Sequence, residues 1–334
     1  MVPPPSVRSA LSVANGSVDD VLGLADRDPH APLRPLARFG HDIARAHRVD
    51  HLAAALGAGA ETLAVRDGGD LVGAVVHRSV PDLTEHFEQP VHEVVALLSE
   101  PDGDRRRLAH VGLDALRDLL AVPTLVLLRL EGDDLEAAAG ASAVGYRLRE
   151  TSLSFVNDLA RRDLNPPRSD ADVRVHRFAD GPLPDEVRAA VRRGRTSFVD
   201  DHYHADPRLD RARCDDLYDR VRDRVVEGIG ADVLVSRHLD GHMVGFGTWR
   251  RARELEPYGV AMVDNAFGFR LPDAPAGNLS EVGAYVCDEP LLENRLLEWS
   301  TQATNYPMVN MLCRRPSIRL CRTTQVLHGW SDER

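Results

Sequence analysis

A chain of 334 residues that is 43% apolar and 28% charged has the material for two buried cores, which excludes a minimal single domain and a long disordered chain alike. Its formal charge of -11 and sequence pI near 5.7 repel a phosphate backbone, so nucleic acid is not an expected partner. Every Lys-or-Arg position is arginine, and the absence of lysine excludes a Schiff-base lysine and the lysine of a P-loop, and with them pyridoxal chemistry and ordinary nucleotide hydrolysis.

From the start of the chain, Met1 to Gly16 carries prolines and small polar residues in place of the apolar core of a secretion signal. No later stretch is apolar for long enough to span a bilayer, so a cytoplasmic protein with no membrane partner is expected. Glu61 to Arg78 reads as strand, tight Asp67-Gly68-Gly69-Asp70 turn and strand, a hairpin. Asp104 to Leu120 places Leu108, Val111, Leu116, Leu119 and Leu120 at helical spacing. Thr124 to Leu130 and Glu150 to Leu159 read as strands, and Arg161 to Asp172 offers prolines and charges with no apolar period.

The same order then returns. Asp232 to Arg250 is a second hairpin around Asp240-Gly241, and its Val244-Gly245 lies 172 positions beyond Val72-Gly73. Thr124 to Leu130 lands at the same offset on Leu296 to Gln302, and Glu150 to Leu159 lands 171 positions on, at Cys321 to Trp330. A helix is predicted over about Asn278 to Asp288, where Asn278 and Glu281 have capping-box spacing and Pro290 follows. Each copy runs hairpin, strand, helix, strand, helix, strand, and its strand-helix-strand step needs a crossover between parallel neighbours. The domains expected are 1–160 and 173–334, joined by a linker at 161–172.

Several residues are candidates for chemistry. Asp264 and Asn265 form a polar pair inside the apolar strand VAMVDNAFGF, which must face a cleft or find partners. A carboxylate there whose pKa is raised by burial suits a general base for an ammonium nucleophile, so Asp264 is the preferred base; a structural carboxylate capping a turn is the alternative. His202, His204 and Asp206 form an HxHxD string without a further ligand cluster, and no metal is expected. Tyr203, His204 and Arg208, with Arg211 and Arg213, are candidates for binding a substrate, arginine forks matching a diphosphate. Glu85, His86 and Phe87 are candidates to line a cleft, against the alternative of a surface turn. The four cysteines fit neither a zinc pattern nor a disulfide framework and read as buried, reduced thiols.

Thr301 to Pro307 (TQATNYP), the helix through Met311 and the strand ending Leu327-His328-Gly329-Trp330 resemble the carboxy-terminal part of amino-sugar N-acetyltransferases of the GNAT superfamily, the dTDP-fucosamine acetyltransferase group in particular. Phe198 to Tyr218, Glu85 to Phe87 and Asp134 to Leu159 extend the resemblance over about 270 residues. It implies two tandem GNAT-like α/β units, each a mixed, mostly antiparallel sheet with a parallel strand-helix-strand step flanked by helices. It further implies acetyl-CoA or another acyl-CoA as donor, held near Gly277, Asn278 and Asn305, and an amine of an amino sugar or other small polar metabolite of specialised metabolism as acceptor. Asp264, Asn265 and Tyr306 would serve catalysis, Tyr203, His204, Arg208 and Phe87 the substrate, and the chain could form a homodimer.

The sequence departs from that family twice. The loop Arg270 to Asn278 (RLPDAPAGN) lacks the family's paired glycines; two prolines remove N–H donors and Asp273 adds negative charge where a pyrophosphate would sit. The acid position seven residues after Asn305 is Leu312, which donates no proton. In the first copy Arg105, Arg106 and Arg107 offer phosphate ligands or a solvated helix start. Two other readings therefore stay open: a fold that has lost its thioester and binds or regulates, and transfer from an aminoacyl-tRNA, which the acidic balance opposes.

Overall fold

The computed structural model describes residues 11–28, 41–158, 172–193, 201–271, 274 and 296–333. They form two compact units, residues 1–151 with 324–334 and residues 152–323. Each unit is half of the repeat with one strand exchanged.

Unit 1 has a six-stranded sheet in the order β1-β2-β3-β4-β5-β12. β1 (Leu11–Asn15) lies against β2 (Glu61–Asp67), which turns through Gly68 and Gly69, both at positive φ, into β3 (Asp70–Ser79). Glycine takes that backbone without a Cβ clash, which is what closes so tight a hairpin. β4 (Val91–Ser99) follows antiparallel, then β5 (Leu125–Glu131) parallel to β4, and the sheet closes with Thr324–Trp330 of β12 (Ile318–Trp330) antiparallel to β5. Helices α1 (Val18–Arg27) and α2 (His41–Gly57) pack Val21, Leu24 and Leu52 on one face of the sheet, and α3 (Pro81–Phe87) links β3 to β4. On the other face α4 (Arg105–Leu119) and α5 (Leu135–Ala143) bury Leu108, Leu113, Leu116 and Ala141 against Val94, Val126 and Leu128. α4 and α5 touch at Gly140, where a Cβ would stand 2.3 Å from the carbonyl oxygen of Arg106.

Unit 2 repeats the plan in the order β6-β11-β10-β9-β8-β7. β7 (Asp172–Arg177) edges a hairpin of β8 (Val233–Leu239) and β9 (His242–Arg251), whose turn residues Asp240 and Gly241 both have positive φ. β10 (Met262–Arg270) follows antiparallel, β11 (Leu296–Gln302) parallel to β10, and Ser152–Asp158 of β6 (Arg147–Asp158) closes the sheet against β11. Helices α6 (Asp185–Arg193) and α7 (Arg211–Val226) cover one face with Val187, Val191 and Val226 on Leu234 and Phe246. On the opposite face α8 (Tyr306–Cys313) packs Leu312 against Val263, Leu297 and Trp299. The helix predicted over 278–288 and most of the linker at 161–172 lie outside the described residues.

The described strands of the repeat appear at the predicted spacing, and each compact unit takes its closing strand from the other half of the chain. The closing strand of the chain completes the first unit's sheet: the Thr124 N–H donates to the Ser331 hydroxyl across 207 positions. The second half of β6 completes the second unit in return. Pairing energy, which is indifferent to chain order, decides membership.

Candidate active site

In unit 2 the parallel pairing of β10 and β11 runs only through Met262–Leu296, Val263–Leu297 and Asp264–Glu298, while both strands continue beyond it. The strands therefore part just after Asp264 and Glu298. β10 also carries a bulge against β9: Asn265 opposes Trp249 and Phe267 opposes Thr248, leaving Ala266 as the extra residue. A bulge re-aims side chains and leaves one residue out of the ladder. Hence the consecutive Asp264, Asn265 and Ala266 all border one cavity of about 400 Å3, with Arg250, Glu298 and Ser300.

Strand alternation explains which residues face this space. Val263, Leu297 and Trp299 point into the core under α8, so Asp264, Glu298 and Ser300 emerge on the other face. The two carboxyls are side-by-side neighbours on adjacent parallel strands. Asp264 Oδ2 accepts from Arg250 Nη2 at 3.1 Å, and the same nitrogen donates to Glu254 at 3.2 Å. Asp264 Oδ1 is buried with no hydrogen-bond partner among the described residues. Burial pushes the Glu298 carboxyl up to about 7, helped by the negative charge of Asp264 and opposed by the Ser154 hydroxyl and Arg322. Asp264 is raised as well, burial outweighing the attraction of Arg250. Ser154 in turn meets the Ser300 hydroxyl at 2.9 Å. Two neighbouring carboxyls that are both raised disfavour joint ionisation, an arrangement able to take up a proton from a bound ammonium.

The corresponding gap in unit 1 is built differently. β4 and β5 also part after a short parallel run, and β4 also bulges, at Val95. Arg78 pairs with Glu93 by an Nε–Oε1 hydrogen bond of 2.6 Å. The neighbour of Glu93 across the parallel pair, however, is Leu127, only 2% exposed. At the start of α4, Asp104 accepts the Arg107 N–H at 3.0 Å, and Arg105 turns inward to Asp134 at 2.7 Å and to the Leu97 carbonyl at 2.8 Å. Of the three arginines at this helix start, Arg105 is thus buried in an ion pair, while Arg106 is exposed.

No protein-family model and no curated protein matches this sequence. Solved structures do. A tandem GNAT protein from the clavulanic acid biosynthesis pathway, in a form without acetyl-CoA, is similar over 97% of this chain and 100% of its own, with a TM-score of 0.52 at 16% identity. A GCN5-related N-acetyltransferase from Sphaerobacter thermophilus is similar over 96% of each chain, with a TM-score of 0.50 at 15% identity. The chain has the tandem GNAT fold.

Within this fold the structure brings Asp264 and Asn265 together at the cavity; the Asn265 amide donates to the Thr248 carbonyl at 3.1 Å. Asn305 caps α8, accepting from the Met308 N–H and donating to Thr301 Oγ1 at 3.0 Å, and Tyr306 begins that helix 69% exposed, away from the cavity's lining. Leu312 is fully buried. Gly277 and Asn278 lie outside the described residues. Tyr203 packs on the His202 ring with centroids 3.9 Å apart, and the buried His204 ring is clasped by Asp201 and, at 3.1 Å, Asp215. The Arg208 N–H donates to Asp206 at 3.1 Å. None of these three lines the cavity described. Phe87 ends α3 in unit 1, buried and edge-on to His86 at 4.9 Å, where a surface turn was the alternative reading. Among the described residues no group of three or more His, Cys, Asp or Glu is placed to hold a metal ion, and no helix is long and apolar enough to cross a membrane. Cys214 is buried as expected, but Cys313 is exposed because it follows the inward-facing Leu312 on a short helix.

Glu298 is the residue that sequence reasoning missed. Its signal was available: a carboxylate between Leu297 and Trp299, the same contradiction of an apolar strand that marked Asp264.

Proposed function

We propose that unit 2 is an N-acyltransferase module, moving an acyl group from a coenzyme A-type thioester to the amine of a small polar metabolite, for which the sequence resemblance suggests an amino sugar or comparable product of specialised metabolism. One observation carries the reading: the Asp264–Glu298 carboxyl pair stands where two parallel strands separate beside a bulge, in a polar cavity. The separating strands and the exposed backbone at Ala266 fit an extended acyl thioester, which when bound supplies an electrophilic carbonyl and a thiol leaving group.

The chain's own residues prepare the acceptor. Ionised Glu298 accepts the proton of the ammonium, leaving the nitrogen lone pair free to attack, and the charge of Asp264 beside it keeps Glu298 basic enough to do so near neutrality. Arg250 holds Asp264 in place. Asn265 orients groups at the bulge, and Asn305, Gly277 and Asn278 are the proposed donor contacts. Tyr306 is the proposed proton donor to the leaving thiolate, to be tested as Tyr306→Phe; Tyr203, His204 and Arg208 remain proposed acceptor contacts. Cytoplasmic location and a homodimer belong to the same proposal.

The test is thiol release from acetyl-CoA with a panel of amines as a function of pH. The expected profile rises through about pH 7 as Glu298 ionises. Asp264→Asn removes the charge that raises Glu298 and should shift that rise to lower pH; an unshifted profile removes Asp264 from this role. The loop sequence Arg270 to Asn278, with Asp273 and two prolines, favours a second reading in which the thioester has been lost. Failure of calorimetry to detect acetyl-CoA binding would decide for it.

A further inference from the structure

Charge in the cavity of unit 2 is arranged in two adjacent parts. One part is the carboxyl pair Asp264 and Glu298. The other is Arg250, about half exposed, whose Nη2 makes both of its ion pairs, to Glu254 and to Asp264. Among the described residues, no hydrogen bond from its Nε or Nη1 accompanies these, so the guanidinium keeps donors for a ligand at the rim of the cavity it lines. A guanidinium presents paired N–H groups in one plane, which matches a carboxylate better than a hydroxyl or an amide.

Each simpler acceptor meets this arrangement badly. A diamine would put its second ammonium against Arg250, and an amine or amino sugar without an acid group would leave the Nε and Nη1 donors of the arginine unused. A zwitterion satisfies both parts, its ammonium on the carboxyl pair and its acid group on Arg250. Because Arg250 Nη2 stands 3.1 Å from Asp264 Oδ2, the two anchors are neighbours. With covalent bonds near 1.5 Å, the amine and the acid of the ligand can be separated by only about two to four bonds. We infer that the acceptor is an amino acid, with its carboxylate held by Arg250 and its amine between Asp264 and Glu298. This rests on the acyltransferase reading for its chemistry, but the binding claim stands apart from turnover.

The experiment titrates the full-length protein calorimetrically with the standard L-amino acids, β-alanine and γ-aminobutyrate, each beside the matched amine that lacks the carboxylate, and with glucosamine as the neutral amino sugar. At least one amino acid should bind roughly tenfold or more tightly than its matched amine. Arg250→Gln should abolish that preference and Arg250→Lys restore part of it, with thermal melts showing that both variants are folded. Equal binding of matched amines or glucosamine, absence of binding by every amino acid, or a preference that survives Arg250→Gln overturns the inference. Thiol release from acetyl-CoA in the same mixtures separates the two claims: an amino acid that binds with this preference and is never acylated overturns the acyltransferase reading alone, whereas acylation of amines regardless of a carboxylate overturns the amino-acid assignment alone.

Discussion

The two units keep the same backbone device and put different side chains on it. Arg78 with Glu93 in unit 1 recurs 171 to 172 positions later as Arg250 with Asp264 in unit 2, and the bulge at Val95 recurs at Ala266. The divergence lies in the next strand and the next helix start. Leu127 stands where unit 2 has Glu298, and Asp134, engaged by the buried Arg105, stands where unit 2 has the cap Asn305. The same splayed strands and bulge thus occur in both units, and the residue on the adjacent strand, Glu298 or Leu127, is what differs beside them.

Four measurements bear on that contrast. The largest effect expected is on turnover: Glu298→Gln should lower kcat/KM by roughly 10²- to 10⁴-fold, the usual worth of a positioned base. Wild-type kcat/KM in that variant would erase the distinction between the units. Next, Arg105→Ala removes the cation that pairs with the buried Asp134 and should destabilise unit 1 by about 3–5 kcal/mol in denaturant titrations. A loss below 1 kcal/mol would mean that this pair does not close the first unit's gap.

A third effect links site and stability through pH. Glu298 has an ordinary pKa of 4.5 and a folded value of about 7, so between them the folded state holds a proton that the unfolded state has released. Its contribution to stability is thus present in acid, falls as pH rises across that window and is flat above it. Glu298→Gln cannot ionise and should be more stable than wild type at about pH 8 by about 3 kcal/mol, with no advantage at about pH 4. Equal stability at both pH values would show that the carboxyl is not desolvated. The smallest effect belongs to the counterpart pair: Arg78→Gln in unit 1 breaks a half-exposed ion pair, should cost about 0.2–1 kcal/mol and should leave turnover unchanged. A drop in turnover would give unit 1 a part in the reaction.

Several parts of the site were legible because the physics that sets them is local. Asp264 and Asn265 stood out as polar residues in an apolar strand, and both border the cavity. Glu298 carried the same mark but sat in a segment read only for its strand period. His204 illustrates the opposite case: its place in an HxHxD string says nothing of Asp215, on the following helix, which with Asp201 holds the ring. His86 reads as a surface turn residue in the sequence, whereas the helix Pro81–Phe87 buries it together with Phe87.

The hairpins, the helix at Arg105–Leu119 and the paired strands of the repeat are legible along the chain, because apolar period and turn glycines act over a few neighbours. Which strand completes which sheet is a matter of long-range pairing. β6 and the closing strand β12 carry the same pattern at an offset of 171 positions, so neither one's side chains specify its sheet. The choice is made by ladder pairing between residues as far apart as Leu125 and Trp330, and by the parting of parallel strands that sets two distant carboxyls side by side, neither of which leaves a trace in local spacing.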